Sequence, residues 1–424
     1  AIQALTTFYK KVYNTIAIVV ALIGVSLIPF LNKIINLEQN VPHLTLYYVL
    51  ALADTIGSYL FAYKISVMTA DQKEYIQVRI SMVFNVVKVL LQIVLLIWLK
   101  SYGIYLVLSL IATVGSNIVA SIKAEKEYPY IKEKRGLEKE KKRDIFDTIR
   151  SVFLYKISNV ILTGTDNTLI SALVGTVYVG YYSNYFLLEN SLYVIMKIVF
   201  RSTTASVGNL VVTEDAKTRY RVFDYMQTIS FCMCAVVIPC YFVLVDDFIS
   251  HVWLGKGFGI GLFALIGLCL NFYITSVFLP VISFREAIGL YRKTKYYMLA
   301  AALLNVGLSA IFSIKWGMAG ILLATPIARL LTYVWYEPKI LFEEYFEKGA
   351  GQFIVQCIKN VFLVTGISWL CYIIGTHILV SGIIGWILKG CLCGSLSLII
   401  TICAYRKTEG FQWLVGQAKK GLNM

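Results

Sequence analysis

Histidine is nearly absent from this chain: His43, His251 and His377 are the whole supply in 424 residues, and they lie far apart. Three scattered imidazoles offer no ligand set for zinc or haem, so no metal and no cofactor is expected. Charged residues are also few, at 15%, against 58% hydrophobic residues and a mean hydropathy of +0.72. That balance excludes an ordinary soluble domain. Cysteine is present, but Cys232, Cys234, Cys240, Cys269, Cys357, Cys371, Cys391, Cys393 and Cys403 form no Cys-x-x-Cys pair and mostly fall inside apolar runs. They read as small buried side chains. No Gly-x-x-x-x-Gly-Lys-Ser/Thr loop occurs, which excludes ATP binding of the Walker kind. No signal peptide with a basic start and cleavage site precedes the first apolar run.

What the chain has instead is long apolar runs. A helix needs about twenty mostly apolar residues to cross the hydrocarbon, where its backbone must satisfy every polar group internally. About twelve runs meet that length. They are Val12 to Leu31, Leu44 to Tyr63, Ile80 to Leu99, Tyr102 to Ile122, Val152 to Val174, Tyr178 to Phe200, Met226 to Val245, Ile260 to Leu279, Tyr296 to Ile314, Gly317 to Trp335, Val361 to Ile378 and Ile384 to Ala404. The expected fold is therefore all-α, a polytopic membrane protein of about twelve spans.

The formal net charge of +15 could suggest a nucleic-acid partner, but the basic residues sit in short segments between apolar runs. There they act as orientation signals, because positive segments resist translocation. With the start of the chain in the cytoplasm, about thirty basic residues fall inside, against Lys33, Lys100, Lys256 and Lys315 outside. No nucleic-acid partner is expected. The segment from Lys123 to Arg150 is the most basic. It mixes Lys132, Lys134, Arg135, Lys139, Lys141, Lys142 and Arg143 with Glu133, Glu138 and Glu140, and reads as a solvated, partly helical linker.

That linker leaves four spans before it and eight after. Residues 1–122 read as a first lobe, 123–150 as the linker, 151–336 as a second lobe of six spans, and 337–424 as an acidic cytoplasmic loop with two additional helices. Two lobes of equal size would require two further helices ahead of Ala1, and the start at Ala-Ile-Gln rather than methionine fits a chain lacking them. Two six-helix lobes that both start inside would be related by an axis along the membrane normal.

Ionisable groups at membrane depth cost several kcal/mol unless they face a bundle interior or a wet cavity, so each is a functional candidate. Asp54, Lys88, Asp166 and Glu189 lie near mid-span. Asn85, Lys88 and Gln92 share a stripe of the third span, a cavity-like face. Ser109, Thr113, Ser116 and Asn117 repeat the pattern without charge on the fourth, where small polar groups suit helix packing. Asn159, Thr163, Asp166 and Asn167 make the densest polar face, on the fifth span. Tyr185, Glu189, Tyr193 and Lys197 step by four along the sixth, and such tyrosines could stack on sugar rings; Tyr181 and Tyr182 read as interfacial. Asn305 with Ser309, and Thr325, Arg329 and Thr332, lie on the ninth and tenth spans.

Lys156, Lys197, Arg201 and Arg329 lie toward the cytoplasmic ends of their spans, where snorkelling to headgroups competes with a place in a cavity. Lys389, near the outer end of the last span, reads as an interface anchor. A cavity with this basic inner half would attract an anion from the cytoplasm, and a pyrophosphate fits because guanidinium and ammonium groups hold phosphate oxygens with charge-assisted hydrogen bonds. Asp166, Asn305 and Thr325 form a candidate coupling-ion site. Energy would come from a gradient, the membrane potential or the substrate. Transport is expected rather than catalysis.

Several short strings carry a resemblance: Phe8-Tyr9-Lys10-Lys11-Val12-Tyr13, Ala70-Asp71-Gln72-Lys73, Tyr128-Pro129-Tyr130, Gly164-Thr165-Asp166-Asn167, Gly180-Tyr181-Tyr182-Ser183-Asn184-Tyr185, Ser206-Val207-Gly208-Asn209-Leu210 and Trp253-Leu254-Gly255. In order and spacing, the chain resembles the polysaccharide-unit (Wzx-type) flippases of the multidrug/oligosaccharidyl-lipid/polysaccharide (MOP) exporter superfamily. The resemblance implies a two-lobed MATE/MOP-type bundle, V-shaped and alternating between inward and outward openings in the bacterial inner membrane, with an incomplete first lobe. It implies as cargo an undecaprenyl-pyrophosphate-linked oligosaccharide, and as partners membrane lipids and other polysaccharide-assembly proteins. Relatives carry two helices before the point where this chain begins, and the first lines the cavity. A cation-coupled multidrug exporter of the same superfamily is the alternative, kept open by Asp54, Asp166 and Glu189. A membrane-embedded polymerase or glycosyltransferase fits less well, because the outer loops are short.

Overall fold

In the computed structural model, residues 2–31, 42–71, 73–132, 139–201, 203–255, 257–377 and 382–422 are described. Lys33, Gln72, Glu133, Lys134, Arg135, Glu138 and Lys256 lie outside them. The chain is a polytopic, all-helical membrane protein, and among the described residues there is no strand. It divides into two compact units, Ala1–Phe146 and Asp147–Met424.

The first unit contains α1 (Ile2–Leu27), α2 (Leu44–Leu60), α3 (Ala62–Ala70), α4 (Glu74–Leu99) and α5 (Tyr102–Glu127). Helix α5 packs against both α4 and α2. Small residues permit this: Gly57 faces Val114, and Gly115 faces the ring of Phe84, each close enough that a Cβ would collide. Helices α2 and α3 form one bent span with a 48° break.

Helix α6 (Lys139–Leu173) starts before Asp147 and is the second unit's first helix from there on, so much of the stretch read as a linker is helical. The unit continues through α7 (Thr176–Arg201), α8 (Thr204–Thr213), α9 (Ala216–Asp247), α10 (Leu262–Val277), α11 (Leu279–Ile288), α12 (Tyr291–Leu331), α13 (Tyr333–Tyr345), α14 (Gly351–Thr376), α15 (Gly382–Tyr405) and α16 (Glu409–Leu422). Helix α12 is broken at Gly317, where φ is 53° and ψ −132°, a conformation that suits glycine, and the ninth and tenth spans meet there. Helix α9 is the central element, with α10, α14, α15 and α16 packed around it. Gly267 brings α10 against the backbone of α12: a Cβ at that position would lie 2.9 Å from the carbonyl carbon of Leu322. Phe223, Phe284, Phe342 and Phe346 interlock with ring centroids 5.2 to 5.6 Å apart and fix α13 onto α9 and α11.

Each expected apolar run lies mainly on helix where it is described, with breaks at Phe61, Phe278 and Thr332. By length and hydropathy alone, however, the described residues yield seven spans, or nine if each bent pair counts as one. Two differences explain the lower number. The ninth and tenth spans are merged in the helical stretch Tyr291–Tyr345. The fifth and sixth, on α6 and α7, are not among the stretches that pass, and they carry the densest run of polar side chains. The segment from Glu337 expected as an acidic loop is helical through Tyr345, because Leu341 and Phe342 are buried there and Glu337 is itself fully buried with partners. Four cysteines are buried as expected, but Cys391 and Cys403 are exposed on α15.

Candidate functional site

Helices α6 and α7 both line a cavity of about 360 Å³ inside the second unit. From α6 come Tyr155, Lys156, Asn159, Thr163 and Asp166; from α7, Tyr182, Phe186, Glu189, Asn190, Tyr193 and Lys197. The lining is completed by α10, α11 and α12, with Asn271, Arg285, Glu286, Thr325 and Arg329. A rise of about 1.5 Å per residue puts Asp166 about 15 Å from Lys156 along α6. Lys156 and Asp166 therefore mark two ends of the α6 lining.

Asp166 is fixed by a short chain of hydrogen bonds. Thr325 Oγ1 donates to Asp166 Oδ1 at 3.1 Å, Asn305 Nδ2 donates to Thr325 Oγ1 at 2.7 Å, and Thr165 Oγ1 donates to Asn305 Oδ1 at 3.3 Å. Asn305 and Ser309 are fully buried, and Ser309 Oγ has no hydrogen-bond partner in the protein. This hydrogen-bonded chain ending on one carboxylate, drawn from α6 and both halves of α12, is where the sequence placed a candidate coupling ion.

Arg329 and Glu189 are each 4% exposed and line the same space. Arg329 Nη1 donates to Tyr333 Oη at 2.6 Å, while its Nε has no partner. Glu189 Oε2 has none either. Among the described residues neither side chain has an ion-pair partner within 4 Å. Burying a polar atom unpaired costs about 1 to 3 kcal/mol, more when it is charged, so two such atoms on one cavity mark it as a place built for a polar ligand.

Near Tyr155 a second network borders the cavity. Arg285 Nη1 pairs with Glu337 Oε2 at 3.0 Å, Tyr155 Oη donates to Glu337 Oε1 at 2.8 Å, and Arg285 also donates to Tyr155 Oη. Lys156 lies 3.8 Å from Glu286, with both side chains well exposed. Lys197 has no ion-pair partner within 4 Å among the described residues, which leaves a cation open to the cavity.

The structure thus brings together Lys156, Asn159, Asp166, Glu189, Lys197, Thr325 and Arg329, with Asn305 buried behind them. It corrects other expectations. Arg329 does not snorkel: the helical path continues through α13 to Tyr345, so the guanidinium sits deep in the protein. Tyr182, read as interfacial, is 4% exposed and lines the cavity. Tyr185 is turned away from it, and its hydroxyl donates to Asp246. Asn167 is exposed on the far side of α6, and Arg201 ends α7 outside the cavity lining. Lys389 is no surface anchor: it is 8% exposed and pairs with Asp247 at 2.6 Å.

Lys88, Asn85 and Gln92 belong to the first unit and do not share one wet face. Asn85 lines a groove along α4 with Glu74, Gln77 and Ser81. Gln92 is buried against α5, its Nε2 donating to Tyr105 O and to Ser109 Oγ, each at 3.0 Å. That is a helix contact, the role read for Ser109. Lys88 is half-buried and outside the groove lining, and Asp54 keeps one buried oxygen without a partner.

The chain is similar to a solved structure of the lipid II flippase MurJ in an inward closed conformation, with a TM-score of 0.63 and 17% sequence identity over 95% of this chain and 84% of that one. The likeness shows that the two share a fold. No family model matches the sequence, and no curated protein matches it.

Proposed function

We propose that this chain is a flippase that carries undecaprenyl-pyrophosphate-linked oligosaccharide units across the bacterial inner membrane by alternating access, for assembly of surface polysaccharide. The observation that carries this reading is a buried guanidinium, Arg329, with a free Nε in a cavity that also presents the unpaired ammonium of Lys197. Cations at bilayer depth are expensive and mark a substrate path. Two donors of this kind lining one cavity suit the oxygens of a diphosphate, with charge-assisted bonds. The shared fold with a lipid II flippase supports a lipid-borne cargo.

Asp166, Thr325 and Asn305 supply the coupling-ion site in this proposal. The three side chains come from three helical segments, so a small cation bound at the Asp166 carboxylate would favour the arrangement in which those segments lie close. A second reading, a cation-coupled drug exporter, is favoured by the unpaired carboxylate of Glu189.

Expression in a bacterium deleted for its own glycan flippase separates the two. Restored surface polysaccharide, lost again in R329A while the protein remains in the membrane, supports the flippase. Raised resistance to cationic drugs with no restored polysaccharide assigns the chain to the second reading.

A further inference from the structure

The unpartnered atoms around the cavity are not all of one kind. Glu189 Oε2 and Asn271 Oδ1 are acceptors, and neither has a donor in the protein. Glu189 is 96% buried by its 4% exposure, so its carboxylate is held at the cavity wall without water-facing freedom. A diphosphate cannot satisfy these atoms, because its oxygens are acceptors too and carry like charge. The same lining holds an aromatic pair and neutral polar groups: Tyr182 and Phe186 stack with centroids 5.6 Å apart and planes 30° from parallel, and Asn159, Asn190 and Thr163 add amide and hydroxyl groups. Rings for an apolar face beside acceptors that demand donors are the chemistry of carbohydrate recognition.

We infer that Glu189 and Asn271 form a sugar subsite in this cavity, which accepts hydrogen bonds from the hydroxyl or acylamino N–H groups of the residue attached to the diphosphate. The inference rests on the flippase reading and adds to it the part of the cargo that these two groups hold. Lys197 and Arg329 hold the phosphates, Glu189 and Asn271 read the sugar, and Tyr182 and Phe186 cover its apolar face. On α7, Glu189 lies about two turns from Lys197. A sugar that presents two donors satisfies both open acceptors at once, whereas a bare lipid diphosphate leaves both buried and unpaired.

The test is binding of two probes to the purified full chain: polyprenyl diphosphate, and the same lipid bearing one N-acetylhexosamine. The sugar-bearing probe binds wild type at least tenfold more tightly. E189L and N271L lose that margin; N271L keeps its affinity for the bare diphosphate within twofold, E189L, which removes a like charge from the cavity, binds it at least as tightly as wild type, and neither loses thermal stability. E189Q retains most of the margin, because its amide oxygen still accepts. An unchanged margin in E189L and N271L overturns the inference, and so does an equal loss for both probes. Loss of the margin in E189Q as severe as in E189L points to a bound cation and also overturns it. Wild type that binds the bare diphosphate with no gain from the sugar removes the subsite and leaves the flippase reading intact. Binding of neither probe removes the flippase reading itself.

Discussion

Arg285 and Glu337 meet as an ion pair of 3.0 Å, with side chains only 8% and 1% exposed, and hold α11 against α13 beside the cavity. Tyr155 on α6 completes the contact. Removing one member of such a pair leaves a buried charge alone, at a cost of about 3 to 5 kcal/mol. E337Q should therefore lower the thermal midpoint of the purified protein sharply, and R285M/E337L should recover most of the loss. A fluorescence-detected melting curve of each variant gives the answer; a mild E337Q with a severe double variant would reverse the roles assigned here.

The hydrogen-bonded chain at Asp166 makes a different demand. A cation that binds only the folded protein stabilises it by about 2.7 kcal/mol at a hundred times its dissociation constant. The thermal midpoint should rise with sodium chloride more than with choline chloride at the same ionic strength. D166N and T325V should abolish that difference. Persistence of the sodium effect in D166N would place the ion elsewhere.

How much of this was legible in the sequence depends on which residues had to meet. The apolar runs named the helices, and the polar face of α6 named Asn159, Thr163 and Asp166, because periodicity is a local property. Tyr185 failed for a reason that periodicity itself supplies. A series stepping by four drifts about 40° per step on a helix of 3.6 residues per turn, so Tyr185 and Lys197 lie about 120° apart. Tyr182, Phe186 and Asn190 occupy the face that Tyr185 was expected to share. Arg285 and Glu337 were missed because their partnership spans 52 residues and Glu337 lies in a stretch whose acidity suggested a loop. Gln92 followed a polar stripe correctly, but no pattern within α4 shows that α5 would cover it.

Outside the membrane, Asp71 ties the turn before α4 to the end of α5. Tyr128 Oη donates to its Oδ2 at 2.6 Å and Lys73 Nζ lies 2.9 Å away. The hydrogen bond from Tyr128, then that from Lys73, holds the Asp71 carboxyl below its ordinary range. A carboxyl with a lowered folded-state pKa adds stability above its unfolded value of about 3.9, and that stability fades as pH falls through the folded value. Wild type should thus exceed D71N by a constant margin from pH 8 to about pH 5, and the margin should shrink below about pH 4. Melting curves across that range check it; a margin that grows with acidity contradicts the sign.

The most direct measurement of the central claim is flipping of a fluorescent undecaprenyl-pyrophosphate-linked oligosaccharide in proteoliposomes. With wild type the rate should stand well above empty vesicles, and the K197A/R329A variant, inserted at equal density and melting at a similar temperature, should lose at least tenfold. Wild-type flipping by that double variant would contradict the account, because the two cations would then have no part in carrying the headgroup.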